Sequence, residues 1–123
     1  MIEIKEHPIL KKGFEYKIIG FNYQQGNKKI LETYIDITLQ KGEEIRRLRF
    51  LSPTQLRIDG GFYMSWGFRI VDSSDKFLNQ KIEVEDFECG SIYFRARKVI
   101  DLDKVTEIEL ETLEVEYEYG LES

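Results

Sequence analysis

The sequence predicts an all-β protein, an antiparallel meander that forms a sandwich or partly closed barrel of about seven to nine strands. Residue choice is the first observation, with one alanine, Ala96, against 15 isoleucines, 7 tyrosines and 8 phenylalanines. Alanine favours helices, whereas β-branched and aromatic side chains suit a half-buried sheet. Alternating apolar residues and frequent glycine-containing turns are the other two observations, and both are typical of strands joined by hairpins.

Length and composition predict one domain that spans residues 1–123. The chain is 41% hydrophobic and contains no linker or repeat, so it can bury a core of its own. It has no apolar run long enough to cross a bilayer, and its first residues include acids where a signal peptide would be basic. With a single cysteine, Cys89, no internal disulfide can form. We therefore expect a cytoplasmic protein, or a passenger exported without a cleaved signal.

Charge is distributed unevenly along the chain. Residues 1–100 hold 17 Lys and Arg against 14 Asp and Glu, whereas residues 101–123 hold one Lys against 9 acids. The net charge of −5 therefore arises in the last segment. Such a protein is a poor binder of nucleic acid and a plausible binder of basic protein surfaces.

The first predicted hairpin joins residues 14–23 to residues 30–39. Gly26 and Asn27 between them suit a tight turn, because both tolerate positive φ. Three apolar pairs are expected on one face: Phe14 with Leu39, Tyr16 with Ile37 and Ile18 with Ile35. The alternation slips after Ile18, which predicts a bulge near Gly20. A third strand is expected over 43–51, with Ile45, Leu48 and Phe50 as its apolar members, and a short run over 55–58 follows Pro53.

The clearest strand covers residues 62–70. Five apolar residues alternate there without a break, which predicts a central strand with one face in the core: Phe62, Met64, Trp66, Phe68 and Ile70. The other face includes Tyr63 and Gly67 and is shallow. Either another element packs closely over Gly67, or a partner lies on this face. Tyr63 and Gly67 are therefore candidate interaction residues.

One short helical turn is predicted near residues 74–80, because Ser73, Ser74 and Asp75 can cap it. A strand over 82–88 should end before Gly90. A last hairpin is expected between residues 91–99 and 105–119. One register satisfies both its core and its charges, with Phe94 opposite Leu110, Ala96 opposite Ile108, Arg95 opposite Glu109 and Arg97 opposite Glu107. Strands 62–70, 91–98 and 105–112 should form the centre of the fold.

Residues that carry chemistry are few, which predicts a protein that is not an enzyme and needs no metal or cofactor. His7 is the only histidine and, beside Pro8, is typical of an exposed turn. Cys89 lies next to an acid, which raises a thiol pKa and disfavours a reactive thiolate. Two acid pairs, Asp72 with Asp75 and Asp101 with Asp103, lack the spacing of a calcium loop and suit turns instead.

Three arginines interleave with apolar residues over residues 45–50. This pattern can bind single-stranded nucleic acid on a sheet. We favour a strand whose outer arginines pair with acids on a neighbouring strand, because the net charge is acidic and the sequence offers no second basic strip beside this one.

An acid ladder near the C-terminus is the strongest candidate site. Glu114, Glu116 and Glu118 share one face of a predicted strand, where like charges repel one another unless cations lie beside them. The ladder could pair with Arg46, Arg47 and Arg49, face solvent as protection against edge pairing, or bind a basic partner.

These features favour a non-enzymatic interaction module that presents a sheet face to another, basic, protein or to a second copy of itself. In general character it is similar to the small acidic immunity proteins that neutralise bacterial toxins, although no motif assigns it to such a family. The alternative hypothesis is a small-molecule carrier with an aromatic-lined barrel cavity. An inert assembly subunit is a third.

Overall fold

The computed structural model describes residues 5–26, 33–61, 67–74, 80–88 and 90–104. Within them, eight strands form two antiparallel four-stranded sheets, which confirms the predicted all-β fold and strand number. The strands are β1 Lys17–Gln24, β2 Tyr34–Lys41, β3 Glu44–Leu51, β4 Thr54–Ile58, β5 Phe68–Asp72, β6 Ile82–Asp86, β7 Ile92–Ala96 and β8 Lys98–Asp101. The first sheet has the order β1-β2-β3-β8 and the second the order β4-β7-β6-β5.

The core lies between the two sheets. Apolar residues alternate with polar ones along the strands, so every second side chain points into this core. On β2, Ile35, Ile37 and Leu39 are fully buried while the residues between them are half-buried. Phe50 of the first sheet meets Phe94 of the second edge to face, with ring centroids 5.1 Å apart. This contact joins the sheets into one hydrophobic core.

The two sheets are also joined by a shared corner. The chain passes from β3 to β4 through Ser52, whose φ is 51°, and from β7 to β8 through Arg97. At the corner the Arg97 N–H donates to the Leu51 carbonyl at 2.9 Å. Because β3 pairs with β8 and β4 pairs with β7, one antiparallel ribbon bends from the first sheet into the second.

The first hairpin is confirmed as a pairing of β1 with β2, but its predicted register is wrong. Ile18 faces Leu39, not Ile35, and the predicted bulge is present between Ile18 and Gly20. The register differs because residues 13–15 form a 3-10 turn, so the strand begins only at Lys17. Gly13 in that turn packs so tightly on β5 that an added Cβ would lie 2.7 Å from the Phe68 carbonyl oxygen. Phe14 is accordingly 45% exposed.

The strand predicted over 43–51 is confirmed as β3. Leu48 and Phe50 are fully buried, whereas Ile45 is 43% exposed. Ile45 lies opposite Gln40 on the outer face, since the strand alternates inward and outward from Leu48. Of the three apolar residues of this strand, Ile45 is therefore the one that lies outside the core.

The predicted pairing of residues 91–98 with 105–112 is also wrong for β7. Phe94 faces Val84 on β6, and β4 occupies the other edge of β7. Both edges are taken, so Leu110 and Glu109 cannot be the ladder neighbours of Phe94 and Arg95. Short-range charge matching suggested the hairpin, while the actual partners come from earlier in the chain. Residues 105–119 themselves lie outside the described residues.

The predicted strand over 62–70 is described from Gly67 onward and continues to Asp72. Phe68 and Ile70 are fully buried as expected, while residues 62–66 are outside the described ranges. β5 is flanked by β6 on one side and by the N-terminal segment on the other, through a bridge between Glu6 and Val71. β6 covers residues 82–86 of the strand predicted over 82–88. The helical turn expected near 74–80 falls largely on residues that the structure does not describe.

Candidate functional site

A continuous strip of aromatic and charged side chains crosses the outer face of the second sheet. Cross-strand register creates it, because Arg69 faces Glu85 on β6, Glu85 faces Tyr93 on β7, and Tyr93 faces Arg57 on β4. Two aromatic rings extend it beyond β5. The aromatic–arginine strip is defined here as Phe14, Phe87, Arg69, Glu85, Tyr93 and Arg57.

Direct contacts hold most neighbours along the strip. Phe14 and Phe87 meet edge to face, with centroids 6.2 Å apart. The Arg69 guanidinium lies 4.6 Å from the Phe87 centroid, and its Nε is 2.7 Å from Glu85 Oε1. At the far end the Arg57 guanidinium lies 4.8 Å from the Tyr93 centroid. Both arginines are therefore oriented by cation–π contacts.

A second row reinforces the strip from one side. The Tyr93 hydroxyl donates to Glu83 Oε2 at 2.7 Å and accepts a hydrogen bond from Arg95 Nε at 2.9 Å. Burial, together with the hydrogen bond to Glu83, raises the pKa of Tyr93. The phenol is therefore neutral at physiological pH and acts as a fixed donor and acceptor rather than as a base.

A hydrogen-bonded turn after β6 fixes the Phe87 end of the strip. Asp86 is buried, and its Oδ2 accepts a hydrogen bond from Ser91 Oγ at 2.6 Å. Its Oδ1 accepts one from the Glu88 N–H at 3.0 Å. The Phe87 N–H donates to the Gly67 carbonyl at 2.9 Å. The turn after β6 is thus tied both to its own acid and to β5, which fixes the backbone that carries Phe87.

The strip is accessible at its ends and half-buried in the middle. Phe14 and Phe87 are 45% and 41% exposed, while the side chains of Arg69 and Glu85 are 21% and 29% exposed. An open cleft of about 350 Å³ adjoins the Tyr93 end, between Arg57, Glu85 and Gly90. Large exposed rings beside ordered arginines are typical of protein-binding surfaces.

The arginines of β3 have a different environment. Arg49 makes two bonds to the Asp36 carboxylate, at 2.8 and 2.9 Å. Arg46 reaches Asp101 at 3.1 Å, and Arg47 pairs with Asp103. The interpretation of this strand as ion-paired is therefore confirmed. Asp101 and Asp103, weighed above as a metal-binding pair, serve as partners for these cations.

A second cleft, of about 320 Å³, lies beside the corner between the sheets. His7, Asp72 and Ser74 line one part of it, and three cations line another: Lys81, Arg97 and Lys98. Each of these cations interacts with another group of the chain. His7 is half-buried rather than exposed as expected, and its Nδ1 accepts the Ile9 N–H at 3.1 Å. Its backbone N–H bonds to Ile70 of β5, which draws the ring against the sheet.

Of the candidate site residues predicted from the sequence, only Gly67 lies within the described residues. Glu114, Glu116, Glu118 and Tyr63 lie outside the described residues, as does Cys89. Gly67 is buried, and an added Cβ would lie 2.6 Å from the Glu88 nitrogen. The chain's own turn therefore provides the close approach over Gly67, and a partner contact at this residue stays a prediction.

The aromatic–arginine strip could not be predicted from the sequence. Its members lie on four strands and two turns, and only the long-range register brings Arg57, Arg69 and Tyr93 into one row. The available signal was local: Tyr93 and Arg95 alternate with the apolar residues of β7, which places both on an outer face.

Comparisons with protein-family models, with curated proteins and with solved structures found no match. Across the part of the chain that the structure describes, no group of three or more His, Cys, Asp or Glu could hold a metal ion. Those same residues include no helix long and apolar enough to span a membrane.

Proposed function

We propose that this protein is a non-enzymatic interaction module that binds another protein through the outer face of its second sheet. The observation that carries the proposal is the aromatic–arginine strip, in which Arg57 and Arg69 are stacked on Tyr93 and Phe87. Tyrosine and arginine are the residue types that most often dominate binding energy at protein interfaces.

The order within the strip supports this role. Association costs free energy for each long side chain that must be fixed at the interface. In the strip that cost is reduced before binding, because Arg69 is held between a ring and a carboxylate and Tyr93 is held by two hydrogen bonds. Rings at one end and a cleft at the other offer a partner both an apolar contact and a recess.

A basic partner fits the overall charge. The net charge of −5 arises in residues 101–123, which include the acid ladder of Glu114, Glu116 and Glu118. Acidic groups near an interface raise the association rate of a basic partner and make it dependent on salt. The strip would supply the short-range contacts and the ladder the long-range attraction. The likeness to small acidic immunity proteins is one of size and charge.

Site-specific photocrosslinking tests the face directly. A photoreactive phenylalanine analogue at position 87 or 93 in cells should crosslink to a partner, whereas the analogue at Thr38, on the outer face of the first sheet, should not. The partner is then purified, and binding to Phe87→Ala and Tyr93→Ala variants is measured by calorimetry. We expect each variant to weaken binding at least tenfold, about 1.4 kcal/mol, and Arg47→Ala to leave it unchanged.

Charge reversal of the acid ladder separates the two surfaces. Replacement of Glu114, Glu116 and Glu118 by lysine should leave the fold intact and slow association, most strongly at low salt. If the ladder variant abolishes binding while Phe87→Ala and Tyr93→Ala bind normally, the strip is not the interface. Normal binding by all of these variants would exclude both surfaces.

The carrier hypothesis remains an alternative and predicts a different result. It needs a cavity between the sheets, where the structure places Phe50 and Phe94 in direct contact. A carrier would copurify with a small molecule that mass spectrometry detects after denaturation. Strip variants would then leave the bound molecule in place.

A further inference from the structure

The turn that follows β4 contains the only Asp-Gly pair of the chain, Asp59-Gly60. An aspartyl carboxyl group can react with the amide nitrogen of the next residue to close a five-membered ring. The ring closes most readily where that residue is glycine, because glycine has no Cβ to crowd the nitrogen and has the most backbone freedom. The reactivity of the pair in the folded protein therefore depends on how firmly the fold holds it.

The fold holds neither of the two reacting groups. Asp59, Gly60 and Gly61 are all exposed, and no described residue forms a hydrogen bond or ion pair with the Asp59 carboxylate. The Asp59 N–H donates to the Ser91 carbonyl at 2.8 Å, but no described residue accepts a hydrogen bond from the Gly60 N–H. A Cβ built on Gly60 would have no atom within 4 Å. The Gly60 nitrogen therefore has room to rotate toward the Asp59 side chain.

Asp72-Ser73 is a comparable pair that the fold protects. Serine is, after glycine, the smallest residue that follows an aspartate in this chain. Ser73 is 1% exposed, and its N–H donates to the Lys81 carbonyl at 2.7 Å. The Asp72 carboxylate accepts bonds from the Ser74 N–H at 3.0 Å and from the Ser74 hydroxyl at 2.7 Å. Both reacting groups are fixed here, whereas in the turn after β4 neither is.

We propose that the folded protein forms isoaspartate spontaneously at Asp59. The Gly60 nitrogen attacks Cγ of the Asp59 carboxyl group, the N–Cγ bond forms, the nitrogen gives up its proton and one water molecule leaves. Water then opens the cyclic imide. Addition at Cγ restores aspartate, whereas addition at the α-carbonyl carbon breaks its bond to nitrogen, so that the chain continues through Cγ and a free α-carboxylate remains. The product has the same mass and charge and a main chain that is longer by one carbon atom.

The modification is independent of the proposed function. It alters the chain after Asp59, beyond the hydrogen bond to Ser91 that follows the last pair of β4 with β7. Arg57 and its contact with Tyr93 precede that point. Partner binding through the aromatic–arginine strip can therefore fail or succeed without any change in this reaction.

The test is incubation of the full chain at physiological temperature for several weeks, followed by tryptic mapping. Cleavage after Arg57 and Arg69 releases a peptide in which Asp59 is the only Asp or Asn. Electron-transfer fragmentation then distinguishes isoaspartate from aspartate. We expect the rate at Asp59 to lie within about threefold of that in a free peptide of residues 57–62, because an exposed turn without hydrogen bonds opens at almost no cost. Asp72 should remain aspartate until the protein is unfolded in urea.

Variants of the turn identify the attacking nitrogen. Gly60→Ala should slow the reaction by about fivefold, because it crowds the nitrogen and restricts its backbone. Gly61→Ala is the matched control, since it adds the same methyl group to the other open glycine and should leave the rate unchanged. Neither glycine has a positive φ, so alanine is compatible with both positions.

Asp59→Glu keeps the charge and should abolish the reaction, because the longer side chain cannot close a five-membered ring. Two results would overturn the proposal. One is a rate in the folded protein more than about tenfold below that of the peptide, which would show that the fold protects the turn. The other is an equal rate in Gly60→Ala and Gly61→Ala.

Discussion

β3 and the outer face of the second sheet each carry three arginines, but they place them against different partners. Arg46, Arg47 and Arg49 on β3 each meet an aspartate. The arginines of the second sheet lie against rings, with Arg57 and Arg95 over Tyr93 and Arg69 over Phe87. The partners on the first sheet come from β2 and from the segment around β8, so those ion pairs tie its strands together.

The difference separates arginines that stabilise the fold from arginines that can still bind a partner. A guanidinium paired with a carboxylate at two points has much of its hydrogen-bonding capacity satisfied inside the molecule. A guanidinium stacked on a ring is fixed in position while its edge can still donate to a second partner. Arg49 and Arg69 combine both arrangements. Arg49 lies 3.8 Å from the Tyr34 centroid and bonds to Asp36, and Arg69 lies 4.6 Å from the Phe87 centroid and bonds to Glu85. The absence of a carboxylate bond to Arg57 among the described contacts is what makes the second sheet the better candidate interface.

The largest expected effect tests whether the two sheets are one cooperative unit. Phe50→Ala on the first sheet and Phe94→Ala on the second should each reduce the free energy of unfolding by about 3–5 kcal/mol, because both rings are fully buried. The double variant should show a coupling of about 0.5–1.5 kcal/mol from their edge-to-face contact. Urea denaturation followed by fluorescence and circular dichroism measures both quantities. Separate transitions for the two probes would mean that the sheets unfold independently.

The next effect compares two ion pairs of the first sheet. Asp101 is 7% exposed, so Arg46→Gln removes the nearer of its two cations and leaves the buried carboxylate with Lys104 alone, at 4.0 Å. Breaking a buried pair costs about 3–5 kcal/mol, and we expect the lower end because the Arg46 side chain is 20% exposed. Arg47→Gln is the control, since its pair with Asp103 lies in solvent and contributes little. Equal losses of stability in the two variants would contradict a special role for the Arg46 pair.

The result for β7 shows why local sequence patterns predicted the strands and their buried faces better than they predicted which strands pair. Alternation placed Phe94 and Ala96 in the core correctly, because the inward and outward phase of a strand depends only on its own residues. The predicted pairing of Arg95 with Glu109 used a charge match a few residues along the chain. The actual neighbour on β6 is Glu83, which offers the same charge. Glutamates alternate on β6, at Glu83 and Glu85, as they do along residues 107–111, so charge matching alone cannot select between the two segments.

The aromatic–arginine strip could not be predicted for the same reason, since it depends on which strands lie side by side. Strand positions could be predicted for Tyr93 and Arg69, but the strip depends on the corner at Ser52, which carries the chain from β3 into the second sheet. A positive φ at a serine has no clear sequence signal, and without the corner Arg57 cannot be placed beside Tyr93. The acid ladder was visible in the sequence because its members are close along the chain.

A smaller effect separates the ring of Tyr93 from its hydroxyl. Tyr93→Phe removes the bonds to Glu83 and Arg95 and should cost about 0.5–1.5 kcal/mol of stability. The ring that supports Arg57 remains, so partner binding should fall far less than in Tyr93→Ala. Calorimetry of the two variants measures the difference. Equal losses of binding would show that the hydroxyl, and not the stacked ring, contributes the binding energy.

The smallest expected effect concerns His7, whose backbone bonds to β5 beside the cleft at the corner. Burial lowers the pKa of His7 below its usual 6.5, and the Lys11 charge adds to this while Asp72 opposes it. The unfolded chain therefore binds a proton before the folded one does as the pH falls. Stability should decrease as the pH drops through about 6.5 and stop decreasing once His7 of the folded protein is protonated too.

Because His7 is the only histidine, its imidazole signals in an NMR titration are unambiguous. The midpoint should lie below 6.5, and a midpoint at or above that value would contradict the argument from burial. His7→Asn is the matched variant, since its side-chain oxygen can still accept the Ile9 N–H that Nδ1 now accepts. Between pH 8 and 5.5 the wild type should lose more stability than this variant.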